Sequence, residues 1–269
     1  MSKYFLSKIN IYPIKSLSGI SLQSAGVEER GLKHDRRLML VDESNRFITQ
    51  RPYPQMALIK VERKDNLLTV LHKQNKLSPL TIQALPYDEK EVSVQIWKDN
   101  VPALKYNNDV NDWFTEAIGI KCSLVYMPNT TKRNTNPDYA KNKIVSFADG
   151  YPFLIIGQSS LDDLNLRMEV PLPMNRFRTN FVFTGGKPFE EDEWKKIKIG
   201  EIVFEVLKPC ARCVITTTNQ ETAERLHEPL LTLSKYRKID NKVMFGQNMV
   251  SDRNGKVAIE SRIEVLERK

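Results

Sequence analysis

RLMLVDESNRFITQ, residues 37–50, sets two apolar-rich runs on either side of the polar group Asp42, Glu43, Ser44 and Asn45. Strand-favouring residues broken by a short polar cluster are the signature of a β-hairpin. The same punctuation continues outward. Upstream, Ile9, Tyr12 and Ile14 begin an apolar alternation and residues 21–27 carry another. Downstream, short runs at 56–61, 67–72, 80–84 and 92–97 are separated by Pro and Asn/Asp clusters. Strands this short and this closely spaced predict a small barrel or sandwich for the first third of the chain.

The period then changes. Val110, Trp113, Phe114, Ala117 and Ile118 recur at helical spacing, which predicts an amphipathic helix over 109–119 with Asn108 as N-cap and Gly119 as its left-handed stop. Residues 129–143 are charged and Asn-rich and read as an exposed loop. The domain junction is placed just before it, giving units 1–121 and 122–269. In the second unit, 151–156 reads as an apolar strand. Ser159 and Ser160 followed by Asp162 and Asp163 form a capping-box pattern into a helix. Residues 181–184 and 201–207 alternate as strands, Pro229 opens a helix over 230–236, and Asn254 with Gly255 marks a final hairpin. The expected class is α+β, mainly β, with a few helices.

Composition bounds the function. The chain has 269 residues, 41% hydrophobic and 28% charged, with a net charge of +8. That is enough chain for a sizeable core without disulfides. The lysines and arginines are dispersed, and no helix-turn-helix, zinc-finger or aromatic RNA-binding pattern accompanies them, so no nucleic-acid partner is expected. No apolar run approaches bilayer length and the start lacks a secretory h-region, which predicts a cytoplasmic protein with no membrane contact. Of the three cysteines, Cys122 sits in an apolar alternation and reads as a small core residue.

The other two form KPCARC, residues 208–213. Half of a zinc site would need a second ligand pair, and His34, His72 and His227 do not supply one. A thioredoxin-like pair should open a helix, whereas Val214, Ile215 and the threonines after them favour strand. A thiolate ligand for a soft metal beside an arginine is the third reading, and two structural cysteines the fourth. YPIKS (12–16), DRR (35–37), TQR (49–51) and FRTN (177–180) each set basic or amide side chains beside strand-like sequence. Brought together they would make an anion pocket; singly, each reads equally well as solvated charge at a strand end.

The segments YPIKSL, GLKHDRRLMLVD and FITQRPYPQMALI resemble the MOSC N-terminal β-barrel domain, and FADGYPFLIIGQSSLDDLN, NRFRTNFVFTGG, PFEEDEW, KPCARCVITTTN and EPLLTLSKYR resemble the MOSC domain. The matches run in family order from about residue 5 to residue 250, and in layout they are most similar to the amidoxime-reducing members of that family. The resemblance implies an N-terminal β-barrel and a β-rich MOSC domain holding a molybdenum cofactor, Mo-molybdopterin, between them, independently of pyridoxal phosphate. It implies Cys213 as metal ligand and catalytic residue, and Lys15, Ser16, Arg36, Ser160, Arg178 and Asn180 as cofactor-binding residues. Asp149 matches a family position without an assigned role. The implied activity is molybdenum-dependent reduction of a small N-oxygenated substrate, such as an N-hydroxylated base, with electrons from a flavoprotein or ferredoxin-like donor. Sulfur transfer through a cysteine persulfide and non-enzymatic cofactor carriage are the alternatives. Two departures stand out: Thr179 replaces the proline of F-R-P-N, and the loop after Cys213 lacks the T-G of the amidoxime-reducing proteins.

Overall fold

The computed structural model describes residues 3–86 and 90–269. Its largest element is a closed seven-stranded ring. Phe153–Gly157 pairs in parallel with Phe181–Thr184, and the ring continues antiparallel through Tyr4–Ile11, Arg262–Arg268, Trp194–Ile199, Ile202–Ala211 and Lys242–Ser251, which pairs back onto Phe153–Gly157. The one parallel pair requires a crossover, and the helix Gln158–Leu166 lies within it. Alternation decides which residues fill the ring. Tyr4 and Leu6 point inward on the first strand, a bulge between Leu6 and Lys8 resets the phase, and Ile9 and Ile11 then point inward. Phe153, Phe181 and Phe204 meet at centroid distances of 5.3–5.8 Å inside it, two of the three contacts edge-to-face. Full burial of each ring contributes about 1.5–3 kcal/mol.

The first half of the chain builds a second core. A four-stranded sheet (Leu38–Val41, Ser123–Tyr126, Asp99–Lys105, Lys90–Ile96) and a three-stranded one (Ile59–Lys64, Leu67–His72, Leu80–Gln83) accompany the helix Asn108–Ile118. The fold is mainly β with three α-helices among the described residues, an N-terminal barrel domain and a MOSC domain. The helix carries the expected stripe and ends at Gly119 (φ 80°), but its N-cap is Asn107, whose side chain accepts from Val110 N at 3.2 Å. The turn at 42–45 forms, closed by Asp42 N to Arg46 O at 2.9 Å with Asn45 at φ 57°. Beyond it the second arm makes the Val41–Phe47 bridge, with Ile48 N donating to Leu40 O at 3.0 Å, while Phe47 N points outward to Gln95 O.

Strand pairing crosses residue 121: Tyr4–Ile11 is part of the seven-stranded ring, while Ser123–Tyr126 pairs with Leu38–Val41. Several local expectations are corrected by tertiary pairing. Gly255–Ala258 follows the expected turn but pairs with Ser24–Glu28, not with the strand before it. The capping box does not form; Gly157 is the N-cap of Gln158–Leu166 without a side-chain bond. Residues 214–217 form a 3₁₀ turn rather than a strand, since Thr216 Oγ1 and Thr217 Oγ1 satisfy the carbonyls of Cys213 and Val214. Nor is 129–143 an exposed loop throughout. Thr131, Arg133 and Thr135 are buried, and the Arg133 guanidinium binds the carbonyls of Ser146, Ala148 and Asp149 at 2.6–3.0 Å. That clasp fixes the backbone on which the site is built.

Candidate functional site

A cleft of about 150 Å³ opens where the two halves meet. Its wall takes Lys15, Ser16, Arg36 and Arg51 from the first half, and Asp149, Arg178, Asn180, Cys210, Arg212 and Cys213 from the second. Lys15 and Ser16 sit in a tight turn, with Ser16 at φ 67°; Lys15 N donates to Leu38 O, and Gln50 Nε2 holds Ser16 O at 2.7 Å. Arg36 (φ 47°) and Arg178 (φ 53°) both occupy the left-handed region, a strained conformation for residues with side chains. In each case the strain aims a guanidinium at the same ring: Arg36 Cζ lies 4.4 Å and Arg178 Cζ 4.3 Å from the Tyr12 centroid. Cation–π contacts of this kind are worth about 0.5–2 kcal/mol each.

The remaining donors are fixed in turn. Arg36 Nη1 pairs with Asp35 at 2.6 Å and Nη2 donates to Arg178 O at 2.9 Å. Arg178 Nη1 donates to Leu17 O at 2.7 Å, while its Nη2 is buried with no hydrogen-bond partner. Burial, followed by the nearby Arg36 charge, pulls the Arg178 group down to about 10 against the opposing influence of Tyr12. Thr179, standing where the resembling motif has proline, caps two carbonyls through Oγ1, those of Leu154 at 2.8 Å and Phe181 at 2.9 Å. The turn that presents Arg178 is thus held by a hydroxyl.

Asp149 organises the opposite wall. Its carboxylate takes Lys15 Nζ at 2.5 Å on one oxygen and Arg51 Nη2 at 3.0 Å on the other. Loss of bulk water inside the cleft would raise this carboxyl, but Lys15 and Arg51 outweigh that effect and hold it well below the ordinary range. Burial pushes Lys15 down to about 8, with Asp149 pulling the other way. Arg51 stacks on Trp97 at 4.6 Å and lies beside Cys213; burial would lower its guanidinium, but Asp149 and then Cys213 raise it above the ordinary value. Arg212 Nη1 donates to Cys210 Sγ at 2.9 Å, and Arg212 Nε is buried without a hydrogen-bond partner. Cys210 and Cys213 are both free thiols, partly open to solvent.

Six of the seven expected site residues therefore line one cleft: Lys15, Ser16, Arg36, Arg178, Asn180 and Cys213. Ser160 does not. Its hydroxyl lies 2.9 Å from both Glu191 carboxylate oxygens and accepts from Phe189 N at 2.8 Å, on the inner side of the Gln158–Leu166 helix. Sequence reasoning gave no role to Tyr12 or Asp149, and used Arg51 only as a candidate member of an anion pocket and Arg212 only as the arginine beside the thiol. Tyr12 and Arg51 lie inside the YPIKS and TQR segments, so proximity to a basic motif was the available signal; nothing in the sequence ties Asp149 to Lys15. Unfilled cationic donors on one wall and two sulfurs on the other fit a ligand that is anionic at one end and offers a soft metal at the other.

A mainly β fold whose interdomain cleft combines arginine clamps with a thiol rim is that of a protein binding an anionic, metal-bearing cofactor. A family model of the MOSC N-terminal beta barrel domain matches residues 4–121, and one of the MOSC domain matches residues 142–264. The chain belongs to the MOSC-domain family. It is 30% identical over 247 residues to mitochondrial amidoxime reducing component 2 of Macaca fascicularis, covering 87% of this chain and 73% of that protein. The human counterpart is 31% identical, with coverage of 87% and 73%. Molybdenum cofactor sulfurase of Arabidopsis thaliana is 33% identical over 90% of this chain, which spans only 32% of that protein's length. Among solved structures, the YUAD protein from Bacillus subtilis aligns over 98% of this chain and 97% of its own, at 11% identity and a TM-score of 0.41.

Proposed function

We propose that this protein holds a molybdenum cofactor in the cleft and reduces N-hydroxylated compounds with it, drawing electrons from a separate flavoprotein or ferredoxin-like donor. The observation that carries the reading is the convergence of Lys15, Arg36, Arg178 and Asn180 with Cys213 on a single cleft. The similarity to amidoxime reducing components, which covers most of both chains, supports the same chemistry. The bound cofactor would supply a soft metal able to accept a substrate oxygen in a two-electron reduction. The chain does the rest. Cys213 offers a thiolate ligand, and Arg36 and Arg178, braced on Tyr12, hold the anionic end. Asp149 keeps Lys15 and Arg51 against the cleft wall at fixed separation. Among the described residues no helix is long and apolar enough to cross a membrane.

Sulfur transfer is a second reading, favoured by one contact: Arg212 Nη1 at 2.9 Å from Cys210 Sγ sets a cation against the sulfur that would carry a persulfide. Metal, pterin and cyanide-labile sulfur should be measured on freshly purified protein, followed by assay with a reduced dye and an N-hydroxylated base. Molybdenum and pterin together with dye-dependent reduction are expected. Labile sulfur without molybdenum would select sulfur transfer, and molybdenum without reduction would select a carrier.

A further inference from the structure

Arg36 and Arg37 are adjacent in sequence and serve different cavities. Arg36 lines the cleft, whereas Arg37 lines a separate cavity of about 230 Å³ formed by the N-terminal half. We propose that this second cavity is a binding site for a small organic carboxylate, with an apolar body and one anionic head.

The head is argued from charge and unfilled donors. Lys33, Arg37 and Arg63 face the cavity, and among the described residues Glu28 is the only acid lining it. Arg63 Nε is buried with no hydrogen-bond partner. Arg37 is itself buried, and its Nε and Nη2 are taken up by Met127 O, Tyr126 Oη and Asn129 Oδ1. Its Nη1 meets only Glu28, at 3.9 Å, beyond hydrogen-bond reach. Two side chains that line the cavity thus each carry a guanidinium nitrogen with no oxygen at hydrogen-bond distance, Glu28 being the nearest carboxylate to Arg37 Nη1. A buried charged donor left in that state is costly, and a carboxylate with two oxygens is the smallest group that fills both.

The body is argued from the opposite wall. Leu38 and Leu68 are buried there, and Leu85 stands at the rim, 57% exposed. Inorganic phosphate would satisfy the arginines and leave Leu85 facing water. His34, strained at φ 70°, adds polar capacity without charge: burial, then Arg63, Lys33 and Arg37, push it down to about 4. Positive charge with a neutral imidazole suits a monoanion better than a zwitterion.

Titration calorimetry with benzoate on the full-length protein as purified tests this. Benzoate should bind saturably, Arg63→Ala should weaken it on the order of tenfold or more, and Arg178→Ala in the cleft should leave it unchanged. Arg63→Gln serves if the alanine variant melts early. Benzyl alcohol, the same shape without the charge, and inorganic phosphate, the charge without the ring, should each bind more weakly than benzoate. Absence of saturable benzoate binding overturns the proposal. So does loss of binding in Arg178→Ala with retention in Arg63→Ala, which would put the carboxylate in the cleft. Benzyl alcohol or phosphate binding as tightly as benzoate would also overturn it. None of these readouts involves the cofactor, so they stand apart from any test of the reductase.

Discussion

Two clusters of charge are withdrawn from water in this molecule, and they are built on opposite principles. In the Glu190–Glu191 pair, each carboxylate oxygen has a donor. Glu191 is approached by Gly157 N at 3.1 Å and by Ser160 Oγ at 2.9 Å; Glu190 receives Lys187 N, Tyr4 Oη, Lys3 and Arg268. In the cleft the balance is reversed: Arg51 Nη1, Arg178 Nη2 and Arg212 Nε are buried with no hydrogen-bond partner. Each such atom costs about 1–3 kcal/mol, more where the group is charged. The fold satisfies these acids completely and leaves three guanidinium atoms around one cleft without a partner, available to a ligand.

The comparison is put under most strain at the thiol rim. Cys213→Ser should reduce N-hydroxylated-base reduction to background while the melting temperature stays near wild type, because serine fills the space but is a poor ligand for a soft metal. Cys210→Ser should be milder. Loss of activity in the Cys210 variant alone would reverse the assignment.

Next in size is the arginine wall. Arg178→Ala and Lys15→Ala should lower molybdenum and pterin per chain more than turnover per bound molybdenum. Charge-assisted contacts of about 1.5–3 kcal/mol correspond to roughly ten- to hundredfold weaker retention. Lys242→Ala, on an exposed residue, is the control. Full cofactor content in both cleft variants would break the equation of unfilled donors with a ligand site.

How far the sequence reached differs between the two clusters for a physical reason. The cleft was legible because its members sit in short basic motifs beside strands, and the resemblance ordered them; Lys15, Arg36, Arg178 and Cys213 converge as expected. Asp149 was singled out without a role and Arg133 was missed because their partners are not their sequence neighbours, Lys15 on the one hand and the 146–149 carbonyls on the other. Asn-rich, charged sequence reads as solvated whether or not a nearby loop's carbonyls take up its guanidinium. The hairpin expected at Asn254 failed for the same reason: a turn signal gives the bend, while the pairing partner, Ser24–Glu28, is chosen by the distant chain. The acid pair left no motif at all beyond PFEEDEW.

The saturated cluster predicts a pH dependence that the cleft should not share. Burial raises the Glu191 carboxyl to about 7, against hydrogen bonds from Gly157 N and Ser160 that pull it down. Folded protein therefore keeps this proton over a range in which the unfolded chain, titrating near 4.5, has released it. Stability from this group is fully present below about 4.5 and is lost as pH rises towards 7, by on the order of 3 kcal/mol in total. Glu191→Gln should flatten that slope, so wild type loses melting temperature relative to the variant between these pH values. Parallel curves would refute the linkage.

The smallest effect decides which cluster Ser160 belongs to. Motif resemblance puts it with the cofactor, whereas its hydroxyl contacts are Glu191 and Phe189 N. If those contacts are its whole role, Ser160→Ala strands the Phe189 amide and removes a donor from Glu191, costing about 1–2 kcal/mol of stability. The space permits little else to compensate, since even a Cβ added at Gly157 would sit 3.1 Å from Ser160 Oγ and 3.2 Å from Glu191 Oε2. A domain of this size then melts a few degrees lower, at about 2–4 °C per kcal/mol. The same change also removes one of the bonds that lower the Glu191 carboxyl, so the pH window of the preceding experiment should move upward. Molybdenum and pterin content at a temperature well below melting should equal wild type. Cofactor loss with an unchanged melting curve would return Ser160 to the cleft's function and show that the helix it sits on reaches the ligand by a route the static contacts do not reveal.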